Sequence, residues 1–562
     1  MNQKLCLTVA LGAAMLFTSC GKKLGAFSAD YFNTNPNPLE VVGTKVPATV
    51  TAKIPAKFFV KNATVTVTPV LVYNGQEASS QPYTFQGEKV RGNAPVVSYE
   101  YGGTYTIPVN YNYQPAMAKS ELYLSFLVDQ KGKTYTLPRV KVANGIIATA
   151  ALADAATVNP ALGADAFQRI INQKYAADIL FLINVANLRP DQLNSEQMQA
   201  LQNELSAANA DTSRVIKEVN IKSYASPDGT LEFNTALAEK REKNTKNYMT
   251  EQLKRRKIQE FGELTAEFTP EDWEGLQKLI AESDLQDKQV ILDVLSMYKD
   301  PEQREKELQN FIHVYDQLPD VILPKLRYSR ITAAIDVIGK SDAEINNLVK
   351  NDPSKLNIEE MLYAASLTDD NGQRMAIYEL ATRQFPNDYR TWNDLGLTQY
   401  VAGKYSDAKA SFAKANSLAP SAGEPQMNLG LIELLNGNYT EANRYFGAAG
   451  GQQGLGDALG TYYLKMGDNA AAVRAFGNAK SNNAALAQIL TKNYTAAKST
   501  LAGISKPNAM TYYLMAVLGA RTNNESMLTT NLRQAIKLDN KLAAAAASDL
   551  EFASYNISGL LR

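Results

Sequence analysis

Apolar and polar positions alternate in short runs through the early part of the chain. At 48–54, 63–72 and 121–128 apolar residues take every second place or nearly so, the period of a half-buried strand. Turn pairs separate these runs at Asn74-Gly75, Gly102-Gly103 and Lys131-Gly132. Short strands with frequent turns predict an all-β antiparallel sandwich over 20–146. It reads as a spacer or interaction module. The Ala-rich stretch 147–174 predicts a helical linker. Beyond it the pattern changes to alternating strands and helices: a buried strand at 176–185, a helix at 196–208, a two-faced strand at 215–224, and a long charged helix at 233–258 with Leu237, Tyr248 and Leu253 on its apolar side. A helical excursion over about 270–325 precedes a last strand at 327–336. This predicts an α/β layer domain over 175–338 with a helical insertion.

From 355 to 550 the pattern repeats. One unit carries Trp392, Leu395, Gly396, Ala408, Phe412, Ala415 and Pro420. The next carries Leu429, Gly430, Ala442, Phe446 and Ala449, and a third Leu459, Gly460, Ala472, Phe476 and Ala479. Within each unit Gly to Ala is 12 residues, Ala to Phe is 4 and Phe to Ala is 3. Phe412 and Phe446 are 34 apart, the period of tetratricopeptide (TPR) repeats, which these units resemble. Tyr378, Ala381 and Pro386 continue the pattern upstream, and Tyr494, Ala497, Leu501, Leu532 and Ala535 continue it downstream. The resemblance implies an all-α solenoid of stacked hairpins. Gly396 and Ala408 are expected to face each other where two helices cross, with Phe412 filling the gap to the next hairpin. By family geometry the concave face presents Asn393, Leu397, Tyr400, Met427, Leu431, Leu434, Asp457 and Thr461 as candidate partner-binding residues. That face is mixed apolar and polar, which implies a protein partner rather than a charged tail.

In the middle domain, Ser223-Tyr-Ala-Ser-Pro-Asp-Gly229 followed by Asn234, Leu237 and Arg241 resembles the OmpA C-terminal domain. In that family an Asp and an Arg hold the carboxylate end of a peptidoglycan stem peptide. A loop of backbone N–H groups at a helix start, joined by one Arg, is a sound anion site. The family Arg falls on Arg241. The family Asp position falls on Ser226, with Asp228 two residues later. Asp228 and Arg241 are therefore the candidate peptidoglycan-binding pair. The bland alternative makes Asp228 the cap of the helix and Arg241 a surface ion-pair partner.

The first residues resemble a bacterial lipoprotein leader. Lys4 supplies a positive charge, 5–17 form an apolar stretch of 13 residues, and Thr18 and Ser19 precede Cys20. Thirteen residues are too few to cross a bilayer core of about 30 Å. The resemblance implies a signal peptide over 1–19 and acyl chains on Cys20. Phe17 departs from the usual aliphatic residue three places before the Cys. Removing the leader takes Cys6 with it, so no disulfide is expected. The lack of Asp after Cys20, and of an acidic cluster there, fits a lipid-anchored protein of the outer membrane facing the periplasm, of the type found in Bacteroidetes.

Composition narrows the chemistry. The chain has 562 residues, 57 Lys+Arg and 57 Asp+Glu, with two Cys and one His. A nucleic-acid binder needs a basic surplus, so nucleic acid is not expected as a partner. Zinc sites of the His/Cys type need about four such ligands, so no metal of that kind is expected. Glu271, Asp272 and Glu274 around Trp273 suit a helix start, and the basic run at 254–257 suits a helix end. His313 lies between Ile312 and Val314 and reads as packed or on the surface. The glycine-rich stretch at 450–456 follows no strand and reads as a loop. The expectation is a non-enzymatic scaffold without cofactor, lipid-anchored at the envelope, that binds other proteins through its repeats within an assembly, secretion or fimbrial complex. The alternative is a peptidoglycan-binding tether.

Overall fold

Alternating side chains divide the early strands into two sheets around one core. In the computed structural model, which describes residues 23–561, strands Phe32–Asn35, Lys45–Ile54 and Gly103–Asn112 form one antiparallel sheet. The second runs in the order Lys133–Asn144, Ser120–Gln130, Ala63–Tyr73, Tyr83–Gly87 and Val96–Val97. Val46, Val50 and Ile107 from one sheet and Val65, Leu124 and Phe126 from the other fill the shared interior. Asn74 (φ 42°) and Gly75 (φ 73°) turn the chain between Ala63–Tyr73 and Gln76–Ser79. Two residues of positive φ are what a tight hairpin turn demands. The leader and Cys20 lie outside the described residues.

The linker is not a helix. Two 3-10 turns, Thr149–Leu152 and Ala155–Thr157, are separated and followed by extended chain, and a strand begins at Ile170. Pro160 cannot donate to a helical ladder, and the linker's own N–H and C=O groups find partners elsewhere. The domain that follows accordingly starts earlier than 175.

The helical region consists of successive antiparallel hairpins. Helix Tyr389–Val401 pairs with Tyr405–Leu418, Gly423–Leu435 with Tyr439–Ala448, Leu455–Met466 with Asn469–Phe476, Asn482–Leu490 with Tyr494–Ala502, and Ala509–Arg521 with Glu525–Leu538. A Cβ at Gly396 would lie 2.7 Å from the Phe412 ring, at Gly430 2.5 Å from Phe446, and at Gly460 2.7 Å from Phe476. The glycine's nearest neighbours are thus atoms of the Phe of its own hairpin, so Phe412 fills the crossing as well as the gap to the next hairpin that was expected of it. A flat ring seated on bare backbone lets the two helices approach closely.

The sandwich and the hairpins are not separate modules. Of the described residues, 23–164 and 368–561 form one compact unit, and Asp165–Leu367 forms a second. In the first unit Thr149 Oγ1 donates to the Glu551 carboxylate, which Arg521 also holds at 3.0 Å. A Cβ on Gly43 would lie 2.6 Å from the Lys465 carbonyl, so sandwich backbone abuts helix backbone. The helix Ile358–Ser366, expected in the repeat region, belongs to the second unit.

The second unit has a four-stranded sheet in the order Ile170–Leu180, Tyr328–Ile338, Arg214–Tyr224, Glu263–Thr269. The first two contacts are antiparallel and the last parallel. Helices Glu196–Ala210 and Leu231–Arg255 cover one face through Leu201, Leu205, Met249 and Leu253. Three helices, Trp273–Glu282, Lys288–Met297 and Pro301–Ile312, form the insertion around Leu276, Ile280, Ile291, Leu295 and Leu308. Among the described residues no helix is long and apolar enough to cross a membrane.

Candidate functional site

The first helices of the hairpins hold the chain's own linker. Asn428 Nδ2 donates to the Ala161 carbonyl at 2.8 Å, and its Oδ1 accepts the Ala161 N–H at 2.6 Å. Asn393 Nδ2 donates to the same carbonyl at 2.9 Å. Asn483 repeats the doubled contact on Asp154, donating to its carbonyl at 2.8 Å and accepting its N–H at 3.1 Å. Tyr400 donates to the Ala155 carbonyl at 2.8 Å, and Asp394 accepts the Gly163 N–H at 2.8 Å. Each of these bonds reaches linker backbone. Ala155, Val158 and Ala161 turn inward against Met427, Leu431 and Leu434. Small side chains let the linker lie close enough for the amides to reach.

Of the candidate groove residues, Asn393 and Tyr400 therefore bond the linker, while Met427, Leu431 and Leu434 pack in the cluster that its side chains enter. Thr461 supports Asn483 from 3.1 Å. Leu397 is half-buried and Asp457 is partly buried, with one carboxylate oxygen lacking a hydrogen-bond partner. Burial raises the Asp457 carboxyl above its ordinary value. Sequence reasoning missed Asp394, Asn428 and Asn483. A signal existed: Asp394 and Asn428 each sit two residues before a crossing glycine, and Asn483 sits two before the buried Ala485. Asp394 is 1% exposed, and burial pushes its carboxyl up to about 8. Its Oδ2 has no hydrogen-bond partner, which suits a carboxyl that keeps its proton.

In the second unit Arg241 is completely buried. Its guanidinium donates to the carbonyls of Tyr224 at 2.8 Å, Val185 at 3.1 Å and Leu182 at 3.2 Å, and lies 4.9 Å from the Phe181 ring centre. Burial, with Arg327 close by, lowers it to about 10. Asp228 pairs with Arg327 at 3.0 Å and bonds Ser226, to which Arg327 Nε also donates at 3.1 Å. Gln309 of the insertion donates to the Asp228 carbonyl at 2.7 Å. Thr230, not Asp228, caps the helix Leu231–Arg255, and Arg241 forms no surface ion pair. The two candidate residues thus stand on one loop-and-helix junction, each with partners inside the unit.

The acidic cluster is structural in its contacts. Asp272 caps helix Trp273–Glu282 by accepting the Gly275 N–H at 2.9 Å, and accepts the Tyr328 hydroxyl at 3.1 Å. Glu271 accepts from Asn234 at 3.2 Å and from the Trp273 indole at 3.0 Å. Burial and the facing Glu271 push Glu305 up to about 7. Lys254 and Arg255 end their helix, and His313 caps the end of Pro301–Ile312.

No family model matches the chain, and no curated protein matches it. Solved structures similar to part of it include a tetratricopeptide repeat protein from Parabacteroides merdae, at 13% identity and a TM-score of 0.29, over 39% of this chain and 89% of that one. Pseudomonas aeruginosa pilF gives 16% and 0.29, over 38% and 99%. YrrB, described as a TPR protein with an unusual peptide-binding site, gives 17% and 0.20, over 37% and 99%. At these identities the likeness is one of stacked helical hairpins alone.

Proposed function

We propose that this chain is a non-enzymatic scaffold, lipid-anchored through Cys20 to the periplasmic side of the outer membrane, that holds partner proteins in an envelope assembly, secretion or fimbrial complex. The observation that carries the reading is the grip of Asn393, Asn428 and Asn483 on an extended polypeptide. With Asn393, Tyr400, Met427, Leu431 and Leu434 taken up by the linker, partners are met on the rest of the unit's surface. The same grip fastens the sandwich to the array within one compact unit.

The test is co-purification from detergent-solubilised outer membranes with a tagged full-length chain. A defined set of envelope proteins should survive a salt wash, and the chain should take up labelled palmitate in a way that Cys20→Ala abolishes. Purification alone, with no stable companions, would remove the scaffold reading.

A second reading, the peptidoglycan tether, draws on the strand, loop and helix that carry Asp228 and Arg241, the arrangement that carries the resemblance to the OmpA C-terminal domain. It ranks below the first because each guanidinium nitrogen of Arg241 already has a carbonyl partner and Asp228 is paired to Arg327. Sedimentation with purified peptidoglycan, compared between the parent and Asp228→Asn, decides it.

A further inference from the structure

The first described residues are pinned to one end of the sandwich. The Leu24 N–H donates to the Tyr135 hydroxyl at 3.3 Å, and the Lys23 ammonium lies 5.8 Å from the centre of that ring. Phe27 is buried and stacks on Phe126 at 4.5 Å. Tyr135 in turn donates to Gln130 at 3.0 Å, and Gln130 to Asn62 at 3.3 Å. This places Lys23 and Leu24 beside the turn at Lys131-Gly132 and the loop 55–62. A second loop closes the same end: the Lys89 N–H donates to the Lys61 carbonyl at 2.7 Å, and the Lys57 N–H to the Tyr99 carbonyl at 2.6 Å.

That end is basic, although the whole chain has 57 cations and 57 anions. Lys23, Lys57, Lys89, Arg91, Lys131 and Lys133 are all exposed there. Lys61 is balanced by Glu88 at 3.3 Å. Among the described residues, Asp30, Glu100 and Asp129 stand against the six, and Asp129 already accepts the Gly132 N–H at 3.2 Å. Tyr101 projects from the closing loop with 85% of its surface exposed. An aromatic ring with a polar tip suits the headgroup region of a bilayer.

We propose that this end of the sandwich docks on an anionic membrane surface, its lysines against lipid phosphates and Tyr101 among the headgroups. The orientation rests on the acylated-Cys20 reading: Cys20 precedes Lys23 by three residues, which span at most about 11 Å. A lipid on Cys20 holds Lys23 within that distance of the interface. A cluster of cations beside a lipid anchor adds a second, electrostatic attachment and fixes which end of the sandwich faces the bilayer.

The test uses the full-length chain carrying Cys20→Ser, so that no acyl chain contributes. It is floated with phosphatidylcholine vesicles with and without phosphatidylglycerol. Binding is expected only to the anionic vesicles and is expected to fall as salt is added. Replacing Lys57, Lys89, Lys131 and Lys133 together by Glu should weaken it by at least about a hundredfold, with an unchanged melting temperature. Tyr101→Ser should weaken it several-fold. Lys254→Glu with Lys257→Glu, in the other unit, should leave it as it was. Equal binding to both vesicle types, or a quadruple variant that binds like the parent, overturns the proposal. Palmitate labelling of Cys20 reads the anchor separately, so failure of one is distinguishable from failure of the other.

Discussion

Asn428 satisfies both backbone polar atoms of Ala161, giving its amide hydrogen to the carbonyl at 2.8 Å and taking the N–H at 2.6 Å. The two residues are 267 apart in sequence. A side-chain amide has one acceptor and a donor group side by side, which matches one peptide unit of an extended chain. Asn483 does the same for Asp154. The linker is thereby held as a peptide ligand would be, and the sandwich is fastened to the array.

Asn428→Ala removes the side-chain oxygen that accepts the Ala161 N–H and leaves that buried donor without it. The expected cost is about 1–3 kcal/mol. It should appear as a lower urea midpoint and as new protease nicking within residues 149–164. A variant as resistant as the parent would show that the amide contributes nothing.

Gly430→Ala places a methyl 2.5 Å from the Phe446 ring, and the ring cannot withdraw because it is buried. Overpacking of this kind costs about 1–3 kcal/mol. Adding Phe446→Leu should recover part of the loss in thermal denaturation. If the second change only deepens it, the close approach is not the cause.

Asp394 makes the first unit sensitive to pH. Its folded carboxyl titrates at about 8 against an ordinary 3.8, because burial disfavours the charge. The folded chain keeps a proton that the unfolded chain has lost. Stability from this group is therefore full below about pH 4 and is lost as pH rises towards 8, by up to ~1.4 kcal/mol per pH unit. Asp394→Asn keeps an acceptor for the Gly163 N–H without the titration. Urea midpoints between about pH 5 and pH 8 should diverge, with the Asn variant gaining on the parent as pH rises; parallel curves would contradict this.

Arg241→Ala should destabilise the second unit by about 1–3 kcal/mol or more, since three buried carbonyls lose their donor. The two tryptophans separate the readings: Trp273 lies in the second unit and Trp392 in the first. Unfolding followed through Trp273, in a Trp392→Phe background, should shift to lower denaturant. An unshifted curve would return Arg241 to the role of a ligand-binding residue.

Much of the local structure was legible. The alternation at 63–72 and 121–128 marked two strands, and Asn74-Gly75 marked the tight turn that ends the first of them, because period and φ are local properties. The spacing of Gly396, Phe412 and their counterparts marked the hairpins, because each hairpin meets the same steric demand on its own. The linker misled because its alanines favour a helix in isolation, and Ala155 and Ala161 are instead small for the sake of the groove. At the loop 223–229 the residue types were visible and their partners were not: Arg327, which pairs with Asp228, lies 99 residues further on.

The sequence by itself determined the sandwich strands around 48–54, 63–72 and 121–128 and where the helical hairpins repeat, since those follow from the side chains of neighbouring residues. Tertiary structure alone decided what fills the groove. The contacts there reach backbone N–H and C=O groups, which every residue carries, so no side-chain pattern in 149–164 could announce them.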